Sequence, residues 1–139
     1  MEPVERPDVP EFKIRKRADI YAEMRTHSGM HGEWVRYAAY LEYKLERDEE
    51  KMEFMCAPLR KAFREDLIRQ LGKSNVTSQA INDELLCVER VQKLTTRIRE
   101  TRGELKAAKA IVVGLQEKTK LIQSYGGLLR RELDKLGDE

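Results

Sequence analysis

Two histidines, two pairs of carboxylates and several runs of closely spaced cations are the residues whose types and spacing could do chemistry. His27 and His31 stand four apart, a spacing that puts two imidazoles on one helical face where they could share a metal. Ser28, Gly29 and Gly32 argue against a helix there, and no carboxylate or Cys completes a ligand set. The expectation is two exposed loop histidines. Glu49-Glu50 and Glu65-Asp66 are adjacent pairs, and adjacent residues on a helix point about 100° apart. They read as solvated faces rather than as an acid/base couple. A Gly-rich phosphate loop, HExxH, CxxC and a nucleophile elbow are all missing from the sequence. The chain is therefore expected to be no enzyme, with no catalytic residue, metal or cofactor.

The cations are more informative. Arg60, Lys61, Arg64, Arg69 and Lys73 outnumber Glu65 and Asp66, and the first three fall within about one helical turn. Arg90, Lys93, Arg97, Arg99, Arg102, Lys106 and Lys109 face only Glu100 and Glu104. Clustered cations of this kind are what binding to a phosphate backbone requires. Between the arm and these tracts, Glu42, Glu46, Asp48, Glu49, Glu50 and Glu53 alternate with Lys44, Arg47 and Lys51, the pattern of an exposed, self-paired helix surface. Trp34, Tyr37, Tyr40 and Tyr43 step by three, so the stripe winds around a helix and part of it must approach solvent or a partner. Packing in a core or between subunits is the commoner use of such rings, and base stacking is physically open to them.

These side chains need long helices to hold them. Pro3, Pro7 and Pro10 make residues 1–10 an extended arm, expected to be mobile in isolation. A short N-terminal helix is predicted from about Glu11 to Arg25, with Phe12 and Met24 on one side and Lys13, Arg15, Lys16 and Arg17 on the other. Thr26–Gly29 and Gly32 predict a break. From Gly32 to Leu71, residues Trp34, Ala38, Leu41, Leu45, Met52, Met55, Leu59 and Phe63 form a coiled-coil-like seam that Asp48 interrupts. Pro58 inside it predicts a kink or break near Met55. Gly72 is placed as a C-cap, and Thr77 or Ser78 as the cap of a helix starting Gln79-Ala80-Ile81.

From there to Leu136 the heptad pattern is sustained. Val91, Ile98, Leu105, Val112 and Leu133 take one position, and Leu94, Ala108, Leu115, Ile122, Leu129 and Leu136 the other. Thr101, Thr119 and Gly126 are its imperfect members. Gly103, Ala107, Ala110 and Gly114 line the opposite side and would let another backbone approach, so with Trp34 they are the candidate oligomer interface. One unbroken helix over 77–136 would be about 90 Å long. A compact monomer of this length has a radius of gyration near 14 Å. A break near Glu84–Val88 or at Gly126-Gly127, together with self-association, resolves that conflict.

The predicted fold is all-α: a long antiparallel helical hairpin with a short N-terminal helix, assembling as a helical oligomer. The domains are the arm, 1–10, and one helical domain, 11–139. Composition agrees. The 139 residues are 37% charged, 40% hydrophobic and 6% aromatic, with Leu, Ile and Val recurring at helical spacing, which favours long helices with solvated faces over disorder. With 27 Lys and Arg against 25 Asp and Glu the net charge is +2, so no uniformly basic coat exists and any basic patch is local. Cys56 and Cys87 have no partner pattern and are expected to be buried or half-buried free thiols. The start has no signal-peptide architecture and no run reaches the length of a membrane span, so a cytoplasmic location is expected.

The order of these segments resembles the UvsY-like recombination mediators of tailed phages. The resemblance covers about residues 32–133. It starts at Trp34-Val35-Arg36-Tyr37-Ala38-Ala39-Tyr40-Leu41, passes into Leu59-Arg60-Lys61-Ala62-Phe63-Arg64, and ends that helix at Gly72-Lys73. Lys73-Ser74-Asn75-Val76-Thr77 and Ala80-Ile81 follow, then Leu105-Lys106-Ala107-Ala108-Lys109, Leu115, Leu121-Ile122-Gln123-Ser124-Tyr125-Gly126 and Leu129-Arg130-Arg131-Glu132. The basic tract falls where the best-known members carry a Lys-Ala-Arg-Leu-type DNA-contacting sequence, which this chain does not reproduce. The resemblance implies a ring-like homo-oligomer that binds single-stranded DNA through its backbone. It also implies help to a RecA-like recombinase in displacing single-stranded-DNA-binding protein, during recombination, repair and replication in an infected bacterium. The rival expectation is a coiled-coil assembly protein, scaffold or host inhibitor with no DNA affinity.

Overall fold

A computed structural model describes residues 1–10 and 20–137, with only the backbone course given for 20–25. All the regular secondary structure of the described residues is helical. Helix α1 spans Ile20–Leu71, α2 spans Ser78–Leu86 and α3 spans Glu89–Gly137, with a 3-10 turn at Lys73–Asn75. The short helix predicted over residues 11–25, with Lys13, Arg15, Lys16 and Arg17, lies largely outside the described residues. None of the described helices is long and apolar enough to cross a membrane.

The joints between helices follow their local chemistry. Gly72 takes φ +82°, and its N–H donates to the Ile68 carbonyl at 3.0 Å. That left-handed conformation is cheap only for glycine. The Asn75 side chain donates to the Leu71 carbonyl at 2.8 Å, satisfying a second orphan acceptor at the end of α1. Thr77 is the N-cap of α2, its hydroxyl accepting from the Ala80 N–H at 3.1 Å. The predicted break at Glu84–Val88 is present, where Cys87 and Val88 donate back to Glu84 and Leu85 at 3.1 Å.

The break predicted at Thr26–Gly29 and Gly32 is absent, and with the chain broken at Glu84–Val88 the alternative at Gly126-Gly127 is not used. Helix α1 continues through Gly29 and Gly32, and α3 continues through Gly126 and Gly127. A helical Gly costs about 1 kcal/mol relative to Ala. In α1 that cost is offset by burial of His27 and Trp34 on either side, at 6% and 1% exposure. Helix α1 also passes through Pro58 without ending. Pro58 and its neighbour Ala57 are exposed, so the turn that loses a backbone donor faces water.

Packing divides the chain into two compact units, Met1–Tyr40 with Leu105–Glu139, and Leu41–Glu104. In the first, the α3 seam residues Leu105, Ala108, Leu115 and Ile122 are buried, as the heptad reading predicts. The seam then fades, and Leu133 and Leu136 are 62% and 68% exposed. The proline-rich arm is anchored rather than free. The Trp34 indole donates to the Asp8 carbonyl at 3.1 Å, and the Arg6 guanidinium sits 6.0 Å from the Trp34 ring centre. A buried indole N–H needs an acceptor, and the arm supplies it. Trp34 is thus already covered by its own chain, which removes it from the candidate oligomer interface. The aromatic stripe does wind outward as its spacing requires: Trp34 and Tyr37 are buried and meet edge-on at 5.8 Å, while Tyr43 is 38% exposed.

In the second unit, Cys56, Ile81, Leu85 and Val91 form a cluster covered by Met52, Met55, Leu59, Phe63 and Leu67. Three helices therefore share one apolar core here. Cys56 is buried as expected, whereas Cys87 is exposed because it sits in the turn between α2 and α3. Asp48, which breaks the apolar seam of α1, is 4% exposed. Both of its oxygens accept from Arg97 on α3, at 2.7 and 2.9 Å. A buried carboxylate persists only when paired in this way.

Removing the two partners should therefore have unequal effects. Arg97→Ala leaves a carboxylate buried without its cation and is expected to cost roughly 3 kcal/mol, the low end for breaking such a pair because half of Arg97 already lies in water. Asp48→Leu completes the seam and releases Arg97 to solvent, so it is expected to stay within about 1 kcal/mol of the parent or to exceed it. Urea unfolding followed by circular dichroism measures both. Equal losses would contradict the assignment.

Candidate nucleic-acid interface

The acidic and basic stretches of the sequence meet across helices in the second unit. Beside Asp48–Arg97, Arg102 donates to Glu49 at 2.8 Å. This corrects two expectations. The acidic stretch around residues 42–53 is not solely a self-paired surface, and Arg97 and Arg102 do not face only Glu100 and Glu104. Lys93 is also engaged, with Glu89 at 3.0 Å. The physical reason is that guanidinium groups on α3 reach carboxylates one helix away, a pairing that neither segment's own spacing discloses.

The tract at the end of α1 is held differently. Arg60, Lys61, Arg64, Arg69 and Lys73 are all exposed. Arg60 pairs with Glu53 of its own helix at 3.4 Å and Arg69 with Asp66 at 3.8 Å, both in solvent. Exposed pairs of this kind are worth little and exchange readily with other anions. Lys61, Arg64 and Lys73 make no ion pair among the described residues. Geometry places the tract beside an apolar cluster. Phe63 and Leu67 of the same turns pack on the Cys56–Ile81–Leu85–Val91 cluster, so the cations stand on a helix anchored from its other side. Gly72 and the 3-10 turn then place Lys73 just beyond the end of α1.

The remaining candidates separate from this tract. On α3, Ala107 and Ala110 are exposed, Gly114 is half-buried, and Gly103 has open space where a Cβ would stand. The small residues were expected on a second buried face; within one chain that face is open at Gly103, Ala107 and Ala110. Ala110 and Gly114 line a shallow recess of about 370 Å³ with Ile111 and Leu121.

The histidines are not loop residues. Both lie on α1, and His27 is 6% exposed with Nε2 2.6 Å from the Thr119 hydroxyl. That hydroxyl donates to the Leu115 carbonyl at 3.0 Å, so its oxygen is the acceptor and His27 Nε2 the donor. His31 is half-buried, and its Nε2 has no hydrogen-bond partner in the structure. The pair lines a cavity of about 470 Å³ with Gln116, Thr119 and Gln123. Among the described residues no group of three or more His, Cys, Asp or Glu could hold a metal.

Sequence reasoning missed Phe54. It is 86% exposed, the most exposed large apolar side chain among the described residues. Its signal was available: it lies off the 3-4 seam, and the residues three and four positions on, which would lean over it, are Ala57 and Pro58.

Comparison with protein families, with curated proteins and with solved structures finds no match to this chain.

Because the basic tract rests on an anchored helix and pairs only in solvent, it is expected to be dispensable for folding. Lys61→Glu with Arg64→Glu should leave unfolding free energy within about 0.5 kcal/mol per site, as for surface changes generally. Thermal and urea melts check this. A loss of several kcal/mol would mean that the tract is structural.

Proposed function

We propose that this chain is a non-enzymatic, helical single-stranded-DNA-binding protein. In this reading it engages the phosphate backbone through Arg60, Lys61, Arg64, Arg69 and Lys73. The observation that carries it is the uneven pairing of cations: Arg97 and Arg102 reach α1 carboxylates from another helix, while the five exposed cations of the α1 tract pair, where they pair at all, only with Glu53 and Asp66 of their own helix, in solvent. A net charge of only +2 does not oppose this, since binding depends on the local cluster.

The finer reading is a homo-oligomer in which α1 and α3 run as an antiparallel hairpin and Gly103, Ala107, Ala110 and Gly114 receive a second subunit. Two observations support the hairpin within the second unit: Cys56 clusters with Val91, and Asp48, farther back on α1, pairs with Arg97, farther on in α3. Repeating a modest basic patch around an oligomer raises avidity without strong affinity per subunit. On the UvsY-like resemblance, such an assembly would load a RecA-like recombinase on single-stranded DNA in place of single-stranded-DNA-binding protein. A coiled-coil assembly, scaffold or host-inhibitor role is the second reading, favoured by the exposed heptad residues Leu133 and Leu136.

Fluorescence anisotropy with labelled oligothymidylate separates the two. The parent protein is expected to bind at low salt, with log affinity falling linearly as log salt rises. Lys61→Glu with Arg64→Glu should weaken binding at least about tenfold and flatten the salt slope by roughly one for each phosphate no longer neutralised. Absence of binding at low salt, or binding that salt does not change, would favour the assembly reading.

A further inference from the structure

We propose that Phe54 is a base-stacking platform that makes the surface prefer single strands over duplex; this rests on the nucleic-acid reading above. The ring is 86% exposed on a helix whose other face is buried. Single exposed apolar side chains are common on protein surfaces, so it is the surroundings that distinguish this ring. Arg47, Lys51, Pro58 and Lys61 all lie within about 60° of Phe54 around α1. Phe54 shares a shallow recess of about 550 Å³ with Arg47, Glu50, Lys51 and Met55. Glu50 is the one carboxylate lining it, against two cations.

The side chain leans toward the helix N-terminus, over the turn that carries Glu50 and Lys51. Toward the C-terminus, Ala57 and Pro58 are too short to cover it. One face of the ring is therefore open, with cations at both ends of the approach. That is the arrangement by which proteins take unpaired bases: a ring for the base and cations for the flanking phosphates. Tyr43, 38% exposed, lies eleven residues earlier on nearly the same side, about 16 Å along the axis. A duplex buries its base faces in its own stack and can use only the cations, whereas a single strand can use both.

A protein-docking role fits the surroundings less well. In this unit the other large exposed apolar side chains are Tyr43, Leu71 and Leu86, and none adjoins Phe54 on its face of the helix. Protein interfaces use contiguous apolar patches rather than one ring among cations.

The test compares three proteins: parent, Phe54→Ala and Phe54→Trp. Each is titrated with oligothymidylate and with a duplex of equal length, alongside Lys61→Glu/Arg64→Glu. The parent's single Trp34 is 1% exposed, so in Phe54→Trp the new emission is the solvent-facing one. Phe54→Ala is expected to weaken oligothymidylate binding at least about fivefold with duplex binding unchanged, and oligothymidylate should quench the Phe54→Trp emission. The proposal is overturned if Phe54→Ala binds oligothymidylate like the parent, or weakens on duplex equally. It also falls if Phe54→Trp binds without quenching, or if Phe54→Ala changes only the sedimentation of the DNA-free protein, which would assign the ring to a subunit contact. If Lys61→Glu/Arg64→Glu weakens binding while Phe54→Ala does not, stacking alone falls. If neither has an effect, the nucleic-acid reading falls with it.

Discussion

A carboxylate buried in an apolar seam is the constraint on which the Leu41–Glu104 unit depends. Asp48 occupies a position where the 3-4 spacing of α1 calls for an apolar residue, and it is 4% exposed. Arg97 forks onto both of its oxygens and so supplies the partner that a buried carboxylate needs. The pair adds little stability compared with a Leu, but it selects one register of α3 against α1, since a slip by a turn would leave the carboxylate bare. Glu49–Arg102 lies beside it and is solvated at both ends, so it reinforces the same register at small energetic weight.

That constraint also sorts the charges. Arg97 holds α3 in register against α1, with Arg102 as a solvated second contact. Arg60, Lys61, Arg64, Arg69 and Lys73 lie beyond the acidic stretch of α1, on its last turns and just past its end, where Phe63 and Leu67 are partly buried on the other side, and they keep their charge toward solvent. Buried charge pairing and the exposed cationic tract are thereby separated along one helix, and a nearly neutral chain carries a local cationic surface. Phe54 stands between the two regions, on the outer side of α1.

Much of the fold was legible because its signals are local. Gly72 after Leu71 and Thr77 ahead of Ala80-Ile81 each announce a joint through the chemistry of a few neighbours, whereas the break at Glu84–Val88 was one of two places that the length of an unbroken helix called for. The heptads of α3 announce its buried face as far as Ile122. What was not legible depends on partners distant in sequence. Gly29 and Gly32 predict a break from propensity alone, yet tertiary burial of His27 and Trp34 outweighs them. The same burial turns His27 from a loop residue into a hydrogen-bond donor to Thr119, ninety-two positions away. Arg97 and Arg102 look free in sequence because their acceptors are on another helix. The site residues on α1 were legible as a cluster, whereas Phe54 belongs to no regular aromatic step and periodicity alone does not single it out.

The central claim is an oligomer whose repeated cationic surface holds single-stranded DNA. Light scattering coupled to size exclusion, run with and without oligothymidylate, tests it most directly. The mass predicted in the absence of DNA is a multiple of the chain mass. With oligothymidylate it should rise by the mass of bound oligonucleotide, and the rise should reverse when salt is raised. A single-chain mass, or an oligomer whose mass oligothymidylate leaves unchanged at low salt, would contradict it.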